Sequence, residues 1–297
     1  MDKLEIRKKI DEIDEQIVKL FSERMEQAKQ IAMVKKESGQ PIFDPVRERE
    51  KLADVISKSP DEMKYYTPLL FSQLFELSRS YQNKLIGEDT ALTERIKEAI
   101  EKSPKMLPDF ATVACMGEDG TNLTDVCDRL FNNANIMVFN NYDAVFTAVE
   151  KRLCQYALIP VENSVSGTLG PVYDLMMNHN FYIVKSIRVR TDSNGEYTRY
   201  ICISKELEIY PGADVTSLML TLPHKMGSLY KLLSRFYALG INLSKIESRP
   251  LPGKDMDFMF YLDIDVSVYS PSFIQLLDEL PSACEDFTYL GSYVNTI

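Results

Sequence analysis

The chain has 297 residues, enough for two or three domains, and its 45% hydrophobic and 26% charged residues are those of an ordinary globular protein. A net charge of −10, two histidines and five scattered cysteines without a CxxC pair argue against a nucleic-acid face, a zinc site and a disulfide framework. Met1–Glu5 opens without an apolar signal region and no run approaches a membrane span, so a cytoplasmic protein with no metal, cofactor, nucleic-acid or membrane partner is expected. Residues 1–85 hold sixteen Lys/Arg and sixteen Asp/Glu, so the remainder carries the whole negative excess.

Residues 4–38 lack Gly and Pro, and Ile6, Ile10, Ile13, Ile17 and Leu20 recur at steps of three and four. That spacing predicts one long amphipathic helix, ended by Gly39 and Pro41. The same stepping continues through Arg24, Ala28, Ile31 and Lys35, which puts two cations where core residues belong. A buried charge is costly without a partner, and no carboxylate at helical spacing continues the stripe beside them. An anionic ligand is therefore the expected partner. At roughly 50 Å the helix is too long to pack within a compact monomer, which suggests a dimer of long helices. Arg7 lies roughly 25 Å from Arg24 along the axis, out of reach of that pocket but within reach of a partner chain's. A second helix is predicted from Pro45 to about Ser57, and a third from Met63 to Leu85, after the Ser59-Pro60-Asp61 loop.

These residues carry a resemblance. The pattern Ile6-Arg7…Asp14…Glu23-Arg24…Val34-Lys35…Pro41-Ile42-Phe43-Asp44-Pro45-Val46-Arg47-Glu48, completed by Ser78-Arg79-Ser80-Tyr81-Gln82, is similar to the all-helical chorismate mutase family over residues 1–85. The resemblance implies a three-helix intertwined dimer. Arg24 and Arg47 of one chain, with Arg7 of the other, would hold the two carboxylates of chorismate. Lys35 and Gln82 would hydrogen-bond the ether oxygen, Glu48 would take the substrate hydroxyl, and Asp44 and Ser78 would support the site. Conversion of chorismate to prephenate is an intramolecular rearrangement that asks for a held conformer and donors preset at the ether oxygen.

Residues 89–108 read as a charged linker with a helix over Glu94–Lys102. Strands are then expected at Thr112–Met116, Ile136–Phe139 and Tyr156–Pro160. Helices are expected near Leu123–Phe131 and Tyr142–Leu153, giving an α/β layer over 109–208. The polar loop Val161-Glu162-Asn163-Ser164-Val165-Ser166-Gly167-Thr168 lies where such folds bind ligands, although a capping turn would read the same. It resembles the prephenate dehydratase motif Pro-Ile-Glu-Asn-x-x-x-Gly, and Tyr197-Thr198-Arg199-Tyr200 resembles that family's Thr-Arg-Phe motif, whose Thr is its principal catalytic residue. The strand Phe181–Val189 passes to Thr198 through Arg190–Tyr197 alone, so nearly all of the family's second lobe is missing. The opening motif, normally Gly-x-x-Gly-Thr-Phe-Ser, reads Gly117-Glu118-Asp119-Gly120-Thr121-Asn122-Leu123. A truncated single-lobe domain follows, with Glu162, Asn163, Ser164 and Thr198 as remnants of a site that would lie open to water.

From residue 213 to 297 the pattern is strand, helix, strand, strand, helix, strand, a ferredoxin-like α+β topology. Gly227-Ser228-Leu229-Tyr230, Asn242-Leu243 and Glu247-Ser248-Arg249-Pro250 are similar to the ACT domain of prephenate dehydratases, which binds phenylalanine between paired domains. Glu-Ser-Arg-Pro is intact, whereas Ser228 and Tyr230 are larger than the residues they replace. His224 reads as a turn residue. The leading reading is a chorismate mutase with a shrunken dehydratase-like domain and a phenylalanine sensor, a homodimer or tetramer acting on chorismate and releasing prephenate. A working bifunctional mutase–dehydratase and a non-catalytic phenylalanine-sensing subunit are the alternatives.

Overall fold

The computed structural model describes residues 2–86, 90–117, 123–169, 171–190, 196–251 and 257–296. The chain divides into two compact units, Met1–Asp89 and Thr90–Ile297.

The first unit is helical: α1 (Lys3–Ser38), α2 (Pro45–Lys58) and α3 (Tyr66–Ile86). The Glu5 carboxylate accepts from the Asp2 backbone N–H at 3.2 Å, and Gly39, with φ 63°, closes α1 in the left-handed conformation that favours glycine. Asp44 caps α2 by accepting from the Arg47 N–H at 2.9 Å, with Pro45 in the first helical position. The third helix starts later than the sequence suggests. Pro60 begins a single 3₁₀ turn over Asp61–Met63, and α3 begins at Tyr66, so that Pro68 falls in its first turn, where a missing N–H costs nothing. Both α1 and α2 pack on α3. The buried face of α1 drifts from the expected stripe. Ala28 and Ala32 are buried while Ile31 is exposed, because small side chains let the helices approach. Residues 3–20 are exposed on every face, including Ile6, Ile10, Ile13, Ile17 and Leu20.

The second unit holds two sheets. The first contains β1 (Phe110–Met116), β2 (Asn133–Phe139), β3 (Tyr156–Asn163), β4 (Gly167–Thr168), β5 (Tyr182–Arg190), β6 (Tyr197–Ser204) and β11 (Asn295–Thr296). Its order is β11-β5-β6-β3-β1-β2, with β4 beside β3. The β1, β2 and β3 strands are parallel, whereas β6 is antiparallel to both β3 and β5. Helices α5 (Leu123–Leu130), α6 (Tyr142–Glu150) and α7 (Val172–Asn178) complete the layer. Residues 118–122, most of the altered opening motif, lie outside the described residues. The second sheet has the order β10-β7-β9-β8 and is antiparallel throughout. Its strands are β7 (Val215–Thr221), β8 (Asn242–Pro250), β9 (Phe258–Asp265) and β10 (Asp286–Tyr293), with α8 (Ser228–Ala238) and α9 (Pro271–Glu279). Fourth, first, third, second is the ferredoxin-like strand order that the sequence predicts.

These two modules share a core. Tyr173 and Ile183 from the first pack in one buried cluster with Met219, Met259, Tyr261 and Leu290 from the second. The last two strands stitch them together, since β10 passes into β11 and Ser186 N–H donates to Val294 O at 3.3 Å. Gly291 sits at that crossing with φ 134°, and a Cβ there would meet Ile183 O at 2.3 Å. The stretch expected as a linker is also structural. Residues Ala91–Lys102 form α4, capped by Thr90, and bury Ile96 and Ala99 in the ferredoxin-like core. Their apolar residues fall on one helix face, and that face found a partner. Among the described residues no helix is long and apolar enough to cross a membrane.

Candidate active site and a polar core

Three helices carry the expected mutase residues. Arg24 on α1 donates through Nη1 to Leu74 O at 3.1 Å and to Ser78 Oγ, both on α3, with its guanidinium 5.9 Å from the Phe75 ring centre. Ser78 is buried and its hydroxyl donates onward to Leu74 O at 2.8 Å. Both contacts of Arg24 are neutral. Burial lowers its pKa and the field of Glu48 raises it, but a guanidinium stays charged near neutrality in either case. One turn beyond Ser78, Gln82 is buried with its Oε1 unpaired among the described residues. An orphaned buried acceptor asks for a donor. Lys35 donates to Ile42 O at 2.5 Å, in the loop that leads to Asp44.

Glu48, one turn into α2, is not free. It accepts from Arg79 Nη1, while Arg79 Nη2 pairs with Glu76 at 2.5 Å and the guanidinium lies 5.0 Å from the Phe43 ring centre. Burial lowers the Arg79 pKa, but the two carboxylates outweigh it and leave the value raised. Arg7 and Arg47 stand apart from this group. Arg7 projects from the exposed half of α1, and the Arg47 side chain is 72% exposed, 3.9 Å from Glu50.

The second unit brings two expected sites into one network. Asn163 Nδ2 donates to Thr198 Oγ1 at 3.1 Å, and Thr198 is buried. Ser164 Oγ accepts from the Tyr197 backbone N–H at 3.1 Å, tying the polar loop to β6. Arg199, 3% exposed, donates to Ser186 Oγ at 3.0 Å, Asp263 Oδ2 at 2.6 Å and the Tyr293 hydroxyl at 2.8 Å. Ser217 donates to the other Asp263 oxygen at 2.5 Å. Burial opposes the Arg199 charge, yet the surrounding hydroxyls and Asp263 leave its pKa raised. Glu162 accepts from Lys245 at 3.1 Å. Glu247 accepts from Thr168 and, at 3.0 Å, from Arg249 Nε. The loop after β3 and the Glu-Ser-Arg-Pro strand β8 are thus joined by hydrogen bonds.

The other expected effector residues divide. Gly227, with φ 82°, caps α8, and Ser228 and Leu229 line an open pocket of about 160 Å³ with His224, Lys225, Phe258 and Phe260. Asn242 donates to Asp265 at 2.7 Å and Leu243 packs on the core beside it, while Ser248 is exposed. Among the described residues no group of three or more His, Cys, Asp and Glu side chains is placed to hold a metal.

Sequence reasoning missed Arg79 and the pairing of Arg199 with Asp263. Arg79 stands inside the Ser78–Gln82 stretch, and an arginine one position off a buried helix face signals a carboxylate on the neighbouring helix. Asp263 gave no local signal, since the alternation of Phe258, Phe260, Leu262 and Ile264 puts it on the opposite face of the strand, which the structure buries as well.

The helical unit and the α/β unit define a class: a mutase-type three-helix module followed by a dehydratase-type module. The sequence model of Chorismate mutase type II matches residues 6–83, and that of Prephenate dehydratase matches residues 113–194. The chain belongs to the chorismate mutase/prephenate dehydratase family. It is similar to the bifunctional chorismate mutase/prephenate dehydratase of Aquifex aeolicus, 24% identical with 97% of each chain covered. That alignment runs over 371 positions, more than this whole chain, so the relative carries segments that are lacking here. The prephenate dehydratase structure from Streptococcus mutans is 30% identical with a TM-score of 0.56, covering 63% of this chain and 99% of that one. The Arthrobacter aurescens prephenate dehydratase in complex with L-Phe shares the fold at 19% identity and a TM-score of 0.53, covering 62% of this chain and 89% of that one.

Proposed function

We propose that the chain is a chorismate mutase whose dehydratase-like module has lost its reaction and whose ferredoxin-like module is an ACT domain that binds phenylalanine. The supporting observation is Arg24, a cation held by Ser78 and Leu74 without a contacting carboxylate, on the same α3 helix face that one turn on carries the buried Gln82. Arg24 retains guanidinium N–H groups beyond its Ser78 and Leu74 contacts, and with Arg47 it takes the two substrate carboxylates. Lys35 and Gln82 donate to the ether oxygen, where negative charge develops as the bond breaks. Glu48 accepts from the hydroxyl. No covalent intermediate is needed, since holding the compact reactive conformer removes much of the barrier. The exposed Ile6–Leu20 stripe is where α1 of a second copy lies, bringing that copy's Arg7 to the carboxylates. Lys35→Ala tests this site. Chorismate turnover should fall at least a thousandfold with the helical circular dichroism unchanged, and turnover that survives the change would remove the assignment.

Loss of the dehydratase reaction is supported by what its motif residues now do. Thr198 is buried against Asn163, Arg199 is spent on Asp263, and Glu162 is held by Lys245. Arg190 of β5 pairs with Tyr197 of β6, and the six residues of sequence between them are too few to make up a second lobe. The bifunctional names of the relatives and the retained Asn163–Thr198 contact favour the second reading, in which the short module still dehydrates prephenate. For phenylalanine, the support is the intact Glu247–Pro250 stretch, the ferredoxin-like order and the pocket beside Ser228. Tyr230 is exposed and does not line that pocket. Calorimetric titration with phenylalanine against tyrosine tests the specificity.

A further inference from the structure

We propose that Arg79 is a positioning residue of the mutase pocket, holding Glu48 toward the substrate hydroxyl and away from Arg24. The inference rests on the mutase reading above. Arg79 comes from α3, Glu48 from α2, and Phe43 from the loop between α1 and α2, so one guanidinium ties three segments together. Its side chain is only 12% exposed. The planar fork gives one arm to Glu48 and the other to Glu76, while Phe43 covers its face. A fork fixes the direction of a carboxylate in a way that a lysine ammonium does not.

The need for such a restraint follows from charge. Arg24 must meet a dianionic substrate, yet Glu48 is near enough to raise its pKa. The contacts of Arg24 on α3 are neutral and cannot compete with a carboxylate for its remaining N–H groups. An untethered Glu48 would swing onto Arg24 and neutralise the charge that the substrate requires, because a carboxylate–guanidinium pair is stronger than a hydrogen bond to a hydroxyl. Arg79 outbids Arg24 for one Glu48 oxygen and leaves the other for the substrate hydroxyl. Glu76 accounts for the second arm of the fork, which would otherwise be a surplus cation in the pocket.

This assignment predicts an uncommon pattern of kinetics. Arg79→Met should raise KM for chorismate about tenfold, as Glu48 collapses onto Arg24, and lower kcat about tenfold or more, as the hydroxyl loses its acceptor. Adding Glu48→Gln should bring KM back to within about threefold of the Glu48→Gln single variant, because a neutral amide no longer neutralises Arg24. A purely structural Arg79 would give the opposite result, with KM in the double variant at least as high as in Arg79→Met. That result, or unchanged constants in Arg79→Met, overturns the proposal. If Arg79→Met does not fold by circular dichroism, Arg79→Lys carries the same test. It keeps the charge but loses the fork, and its raised KM should again be relieved by Glu48→Gln. Wild-type protein assayed in parallel separates the two readings. Failure of the wild type to turn over chorismate removes the mutase reading itself, whereas an active wild type with no relief in the double variant removes only the role of Arg79.

Discussion

Arg24, half-buried, and Arg199, buried, are both arginines drawn into polar contacts within their units, and their surroundings differ in one respect. Arg24 meets a hydroxyl and a carbonyl and has N–H groups to spare, whereas Arg199 meets Asp263, Ser186 and Tyr293 and is fully engaged. Glu48 and Glu162 repeat the contrast. Each is held by a cation, but Glu48 also acts on the half-buried Arg24, whereas Glu162 lies within a chain of Lys245, Glu247 and Thr168. Unfinished valence marks a place for a ligand, and completed valence marks a joint. Arg199 and Asp263 join the two sheets, whereas the helical unit leaves the buried Gln82 Oε1 without a partner among the described residues.

The largest expected effect breaks the joint. Arg199→Met leaves Asp263 buried without its partner and should cost about 3–5 kcal/mol, read as a lower melting temperature for the α/β unit, with chorismate kinetics at 20 °C unchanged. Next, Arg24→Lys supplies a point charge in place of a fork. It should lower kcat/KM about a hundredfold, near 2.7 kcal/mol of transition-state binding, with little change in stability. Gly291→Ala forces a side chain against Ile183 O at a backbone angle that disfavours it. A loss of about 2 kcal/mol or more is expected in denaturant titrations of the second unit. The smallest effect is electrostatic. Lys51 and Lys58 hold the half-exposed Asp54 carboxyl down at about 2, below its ordinary value of 3.8. Because the folded value is the lower one, this contribution is full above about pH 4 and is lost as pH falls toward 2. Asp54→Asn should therefore lower the stability of the helical unit slightly at pH 7, leave it unchanged near pH 2, and so flatten the acid end of its stability curve.

Much of this architecture can be read locally. Gly39, Pro41 and Asp44-Pro45 mark the end of one helix and the start of another, and alternation along Phe258–Asp265 marks a strand, although both of its faces are covered between Met259 and Ile264. Ala32 was harder, because a small residue carries little periodic signal although it decides how closely two helices approach. The α4 helix looked like a connector since its charges outnumber its apolar residues, and only a partner surface reveals that Ile96 and Ala99 are core. Within the site, Arg24 and Lys35 could be picked out because they interrupt an apolar stripe. Arg79 signals only that some carboxylate lies on a neighbouring helix, and which one it is, Glu48 thirty-one residues away, is not local information. The Arg199–Asp263 pair spans sixty-four residues and two sheets, a separation at which local pattern carries no information.

One measurement reaches the centre of this account: purified protein incubated with chorismate alone, with prephenate and phenylpyruvate both followed over time. Open valence in the helical unit and closed valence in the dehydratase motif predict that prephenate accumulates and phenylpyruvate stays at the spontaneous background. Phenylpyruvate forming above that background, in step with enzyme concentration, would contradict it and would mean that Thr198 and Glu162 still catalyse from within the joint.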